Sequence, residues 1–377
     1  MSLGRPSAGA EPIATGRVMR ALIVTTMRNE APFLLEWLAY HRVIGFDDFL
    51  VFSNDCADGT DTLLDRMQSL GVLRHVRNKR GGKKTVQWSA LAAAGTHPRL
   101  LAADWVMGAD VDEFLLIHAG DGRLPDLIAA APEADGFMID WRMFGNDGKV
   151  RFEDRFVMEQ FTRAAPDALL WPWRAVQFKS LYRNDGSFGK LGVHRPRQPD
   201  PERGEAFRWV DGAGEPVQQA AMTVMVHTRP RYTLAQLNHY ALGSVESFLV
   251  KTERGRPNRT LDPITLDYWV DRNFVEVEDR RILRHLPAVA AQVAEWRAEA
   301  EVDRLHREAV AWREARIAAL LKDPDYFRLY ARILQTGPTQ VLPPRRQRRL
   351  LRLASAAREA EGRKGGEKQE DPPLKGF

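Results

Sequence analysis

The sequence is short of cysteine, of long apolar runs and of net charge, and each shortage removes a class of protein. Cys56 is the single cysteine in 377 residues, so neither an internal disulfide framework nor a zinc site built on paired thiolates can form. A reducing compartment, the cytoplasm, is the expectation. No apolar stretch nears the roughly 18 residues of a spanning helix, and the mean hydropathy is -0.39. Residues 1–16 are small and polar with no apolar centre, so no secretory leader is expected. The formal net charge of +5 comes from 55 basic and 50 acidic residues, and 343–377 alone carries that excess. The remainder is close to neutral, which argues against a surface that grips nucleic acid.

What is present is enough chain for more than one ordinary domain of roughly 100 to 200 residues. Residues 20–27 form a short β-branched apolar run, which suits a buried strand. Arg28, Asn29 and Glu30 follow it, and Pro32 then opens a segment with Phe33, Leu34, Trp37, Leu38 and His41 at helical spacing. A second strand over 49–53 runs into 54–60, with a helix from about Asp61 to before Gly71. Further elements are a third strand at 72–76, a helix at 85–94 and a strand at 105–109 that ends at Asp110. This alternation predicts a parallel sheet covered on both faces.

Ligands of such sheets sit off the carboxyl ends of the strands. The polar clusters 25–30, 53–58 and 110–113 all fall there and are expected to converge. Beyond Gly136, strands are expected at 137–141, 175–182 and 222–227 among irregular loops. From Pro263 the pattern turns helical, most clearly over 288–321.

The sequence Asp110-Val-Asp-Glu-Phe114 places two carboxylates one residue apart at a strand end. Both can face a hard divalent cation that bridges diphosphate oxygens, or they can belong to a solvated acidic turn.

An ordered set of motifs surrounds this one: Thr26-Met-Arg-Asn-Glu30, Glu36-Trp-Leu-Ala-Tyr-His41, Gly45, Asn54-Asp-Cys-Ala-Asp-Gly-Thr60 and Asp104-Trp105. Together they resemble the family 2 type glycosyltransferases of the GT-A fold, in a bacterial branch with an Arg-Asn-Glu start and an Asp-x-Asp-Glu-Phe metal motif. Trp141-Arg-Met-Phe-Gly145, His194-Arg-Pro196 and Asn238-His-Tyr240 with Ser244, Lys251 and Arg254-Gly255 are similar to later blocks.

The resemblance implies an α/β GT-A fold, with a Rossmann-like nucleotide-binding half and a mixed central sheet, plus a helical C-terminal extension. It also implies transfer of a sugar from a nucleotide-sugar donor, usually UDP-linked, to an acceptor hydroxyl with inversion, assisted by Mn²⁺ or Mg²⁺. Thr25, Arg28 and Glu30 would border the nucleoside. Ser53 and Asn54 stand where an acidic uridine contact is common. Asp110 would lie near ribose and metal, Asp112 would ligate the metal, and Glu113 would hold the loop.

Other groups have two readings. Lys83 and Lys84, after Gly81-Gly82, could meet phosphate or form a solvated turn, and Gln87 lies one turn on. A late histidine could complete a metal set, with His239 first, His227 as the alternative and His194 third; His41, on an apolar helix face, reads as core. The general base that inversion requires is unassigned among Asp140, Glu153 and Asp154. Trp141, Phe144, Trp171 and Trp173 could stack on sugar or fill the core. Residues 345–353 mix arginine with leucine and could lie on an anionic inner membrane face or remain a solvated helix.

The expected organisation is a flexible 1–19, a nucleotide-sugar-binding half at 20–135 and an acceptor and metal-completing half at 136–262. A helical extension follows at 263–342, with a basic disordered tail at 343–377. The expected partners are the nucleotide sugar and a hydroxyl-bearing glycan or lipid acceptor. Two rivals remain, a metal-dependent phosphohydrolase and a non-catalytic nucleotide binder of the same fold. The phosphohydrolase is weakened because Glu113 stands where a hydroxyl residue is expected after the second aspartate.

Overall fold

A computed structural model of the chain describes residues 19–78, 85–217, 231–255 and 265–364. The labelled strands are β1 (Ala21–Met27), β2 (Asp48–Ser53), β3 (Arg74–Arg77), β4 (Trp105–Gly108), β5 (Glu113–Ile117), β6 (Gly136–Met143), β7 (Phe178–Arg183), β8 (Trp209–Asp211) and β9 (Ala235–His239). They form one sheet in the order β3-β2-β1-β4-β7-β6-β9-β5, with β8 paired to β6. β1 to β4 are parallel. β7 runs antiparallel to both β4 and β6, and β9 is parallel to β6 but antiparallel to β5. The result is the expected α/β arrangement, a parallel half continued by a mixed sheet. The expected strand at 222–227 lies outside the described residues.

Strict alternation along the first strands explains the layers. Ile23 and Val51 face a core shared with Trp37 and Leu38 of α1 (Ala31–Val43) and with Leu63 of α2 (Thr60–Ser69). Leu22, Val24, Leu50 and Phe52 face the opposite side, where Ala90, Leu91 and Ala94 of α3 (Val86–Ala94) cover them. α4 (Val245–Arg254) follows β9 and is capped by Ser244, whose hydroxyl accepts from the Ser247 N–H at 3.1 Å.

The helical region departs from expectation in two places. The stretch expected as helical over 288–321 is two helices, α5 (Leu286–Arg297) and α6 (Ala300–Leu320), because the Glu299 carboxylate accepts from the N–H groups of Glu301 and Val302 and starts a new helix. Val289, Val293, Trp296, Val302, Leu305 and Ala309 then join the same core as α1. α7 (Pro324–Gln335) follows, capped by Asp323.

The segment expected as a disordered tail is helical as α8 (Pro344–Lys364). Side-chain docking accounts for that: buried Gln347 accepts from the backbone N–H groups of Leu170 and Trp171 at 2.7 and 2.9 Å, and Leu351 packs with Leu170 and Trp173. Among the described residues, no helix is long and apolar enough to cross a membrane.

Candidate functional site

The loop after β1 is held by the segment after β2. Asn29 takes a positive φ of 55°, and its side-chain oxygen accepts from the Ala57 N–H at 2.8 Å. Asp58 accepts from Ala31 N–H at 3.0 Å and from the Thr60 hydroxyl at 2.6 Å, and Thr60 Oγ1 accepts from Glu30 N–H at 2.9 Å. Gly59 supplies the left-handed turn at φ 84° that lets Asp58 and Thr60 fold back. The 54–60 motif therefore acts largely as scaffolding that fixes Glu30.

The turn between β4 and β5 carries the aspartate motif. Glu113 is fully buried: one oxygen accepts from Trp141 Nε1 at 2.8 Å and the other from Asp110 N–H at 2.8 Å. Burial pushes its pKa up to about 8, against the pull of Lys179. It holds the loop, as expected. Lys179 donates to Asp110 at 3.0 Å and lies 3.4 Å from Glu113. Burial would lower the Lys179 pKa, but the two carboxylates raise it.

Asp112 Oδ2 receives Lys251 Nζ at 2.6 Å, and Asp112 Oδ1 lies 3.6 Å from His239 Nε2. Burial opposes ionisation of Asp112, yet the Lys251 ammonium and then His239 hold its carboxyl well below the usual range. His239 is pushed down by burial, with Asp112 opposing.

Three residues on from Lys251, one turn along α4, the Arg254 guanidinium pairs with Glu30 and donates to the Arg28 carbonyl at 3.0 Å. Arg28 Nη1 returns a bond to the Arg254 carbonyl at 3.3 Å. Lys251 thus ties α4 to the second aspartate, and Arg254 ties it to the loop after β1. The three border an open cleft with about 690 Å³ of empty space, lined among others by Asn29, Glu30, Asp112, Glu153, Lys251 and Arg254.

The remaining sequence candidates are distributed as follows. Thr25 is buried within β1, its hydroxyl without a partner among the described residues. The Ser53 hydroxyl is engaged by His75 Nε2 at 2.7 Å, and His75 Nδ1 by Asp65 at 2.6 Å. The Asn54 amide donates to neighbouring Asp55 at 3.3 Å. Lys83, Lys84 and His227 lie outside the described residues. Gln87 is buried at the start of α3.

His41 is core, its Nδ1 donating to the Trp37 carbonyl at 2.9 Å and its pKa lowered to about 4 by burial. His194 donates through Nδ1 to the Phe178 carbonyl at 2.8 Å. Of the base candidates, Asp140 is buried within β6 and Asp154 is held by His306 at 3.0 Å, whereas Glu153 lines the cleft. Trp141, Phe144 and Trp173 are buried, and Trp171 is half-buried.

Asp110, Asp112 and His239 share one neighbourhood, but as placed they do not suit a divalent cation. Each aspartate already faces an ammonium, and among the described residues no group of three His, Cys, Asp or Glu side chains is arranged to hold a metal. The sequence reading missed Lys179 on β7 and Arg313 on α6. Arg313 carried a signal: it falls on the stripe Val302, Leu305, Ala309, Ile317, Leu320, where every other position is apolar and buried.

A family model described as Glycosyltransferase family 92 matches residues 23–213, about half of the chain. A family 92 protein of Oryza sativa subsp. japonica is 29% identical over 156 residues, covering 38% of this chain and 25% of that protein. One of Ricinus communis is 31% identical over 104 residues, covering 26% and 17%. The matched stretch is thus a quarter or less of these relatives' length. Among solved structures, S. aureus TarS is 15% identical with a TM-score of 0.29, covering 44% of this chain and 28% of that one. TarS 1-349 is 12% identical with a TM-score of 0.31, covering 73% and 71%. The resemblance read from the motifs is corrected in its family number, since short shared motifs around the strand ends do not separate related families and the match over 23–213 does. The chain belongs to glycosyltransferase family 92.

Proposed function

We propose that the chain transfers a sugar from a nucleotide-sugar donor, UDP-linked, to an acceptor hydroxyl with inversion. Family membership supports the reaction class. The observation that carries the reading is the cleft in which Glu30 and Asp112, from two strand-end loops, meet Lys251 and Arg254 of one helix.

In this reading the acceptor oxygen attacks the anomeric carbon, and its proton passes to the Glu153 carboxylate in the cleft. The bond from that carbon to the diphosphate oxygen breaks, and its electron pair leaves with the diphosphate. Lys251, Arg254 and Arg28 meet the growing negative charge as preorganised donors. The exposed arginines of α8, Arg345, Arg346, Arg348, Arg349 and Arg352, support peripheral contact with an anionic bilayer that presents a lipid-linked acceptor.

The test is incubation of the purified chain with a panel of nucleotide sugars and hydroxyl acceptors, scored for free nucleoside diphosphate and glycosylated product. Orthophosphate release from a simple phosphomonoester, with no diphosphate from any nucleotide sugar, would instead support the phosphohydrolase.

A further inference from the structure

Arg313 of α6 is 4% exposed and lines the same cleft. Its guanidinium lies 4.6 Å from the ring centre of Phe33 and 5.4 Å from that of Phe152. One nitrogen donates to the Ser247 carbonyl at 3.2 Å, while buried Nε has no partner among the described residues. Among the described residues, no carboxylate sits within ion-pair distance of Arg313. The nearby Arg254 feels this charge: burial first, then Arg313 and Arg28, bring its pKa down to about 10.

Buried cations are ordinarily paired, because taking a charge out of water is costly without a counter-ion. A buried guanidinium with donors to spare, stacked between two aromatic rings at the wall of the cleft, is suited to a planar or tetrahedral oxyanion. Phe33 and Phe152 hold the guanidinium plane in place. Ser247 engages one donor and leaves others for a ligand.

We propose that Arg313, with Arg254 beside it, forms an oxyanion-binding subsite for a phosphate or carboxylate group of a substrate, so that the C-terminal helical extension completes the cleft. The subsite deepens the transfer reading and rests on it for the identity of the substrate. Two sources share the chemistry: the diphosphate of the donor and an acidic sugar on the acceptor.

Calorimetric titration of the full chain with inorganic pyrophosphate and, separately, with glucuronate distinguishes them without turnover. Pyrophosphate binding about ten-fold weaker in Arg313→Gln than in wild type assigns the group to the donor. Loss of glucuronate binding alone assigns it to the acceptor, and the subsite stands in either case. Arg313→Lys keeps the charge and the apolar stem but loses the fork. Weakened binding in that variant, with an unchanged far-UV spectrum, decides the matter if Arg313→Gln does not fold. Wild type that binds neither anion, or folded variants that bind both as tightly as wild type, would overturn the proposal. Wild type that binds pyrophosphate through Arg313 yet releases no diphosphate from any nucleotide sugar would sink the transfer reading and leave the subsite intact.

Discussion

Lys251 donates a 2.6 Å hydrogen bond to Asp112 across 139 residues of sequence, and this bond seats α4 against the turn between β4 and β5. A second bond from the same ammonium, to the Ala241 carbonyl at 2.6 Å, anchors it from the other side. Lys251→Met leaves Asp112 without its ammonium, with the His239 imidazole 3.6 Å away. The Asp112 side chain keeps 22% exposure, so the expected loss of about 1 to 3 kcal/mol is smaller than for a fully buried pair. Adding Asp112→Asn to that variant should recover part of the loss. Urea unfolding of the two single variants and the double variant measures the coupling, and simple additivity would refute it.

Glu36 supplies a pH dependence that its substitution can isolate. Its carboxyl accepts from the N–H groups of Val157 and Met158 at 2.7 and 2.9 Å, and burial raises its pKa from 4.5 to about 8. An acid whose folded pKa is raised stabilises below its unfolded pKa, and that contribution is lost as pH climbs from 4.5 towards 8. Buried His41, lowered to about 4, works in the opposite direction below its ordinary 6.5. The difference in stability between wild type and Glu36→Gln should therefore fall steadily over the first interval and level off above it. A difference that is flat with pH would contradict the assignment.

Glu153 and Asp154 are adjacent and should behave differently. Glu153→Gln is expected to lower kcat by about 10² to 10⁴ while leaving donor binding within about two-fold. Asp154→Ala loses the bond to His306 and should lower the unfolding midpoint with little change in kcat. Paired kinetics and thermal unfolding of the two variants check the contrast.

Gly145 closes the Trp-Arg-Met-Phe-Gly block for a steric reason. A Cβ there would lie 2.4 Å from the Phe274 carbonyl oxygen and 2.7 Å from Val275 Cγ1. The Gly145 N–H, meanwhile, donates to the carbonyls of Arg163 and Phe274. Gly145→Ala is expected to destabilise by about 1 to 3 kcal/mol, since the neighbour in closest contact is backbone. An unchanged denaturation midpoint would refute the steric reading.

The parallel half was legible because both faces of its strands are buried and α1 announces itself by its spacing and by Pro32 in its first turn: β1, β2, α1 and α2 lie within a residue or two of expectation. β5 was not, because Glu113 to Ile117 reads as the tail of the acidic motif and becomes a strand only through its antiparallel partner β9. The split at Glu299 depends on a carboxylate turning back onto two N–H groups, and periodicity does not report that. Asp110 and Asp112 were legible as a pair, but their ammonium partners were not. Lys179 and Lys251 lie 69 and 139 residues away, distances over which spacing arguments carry no information. The partner of the Ser53 hydroxyl, His75 on the neighbouring strand, was likewise out of reach of spacing.

The central claim is that the cations of α4 hold the leaving diphosphate of a sugar donor in the cleft between the first and fourth strand ends. Calorimetric titration of UDP into wild type and Arg254→Gln tests it most directly. The account expects measurable binding to wild type and at least about ten-fold weaker binding to the folded variant. Equal affinity for the two, or no binding to wild type, would contradict it.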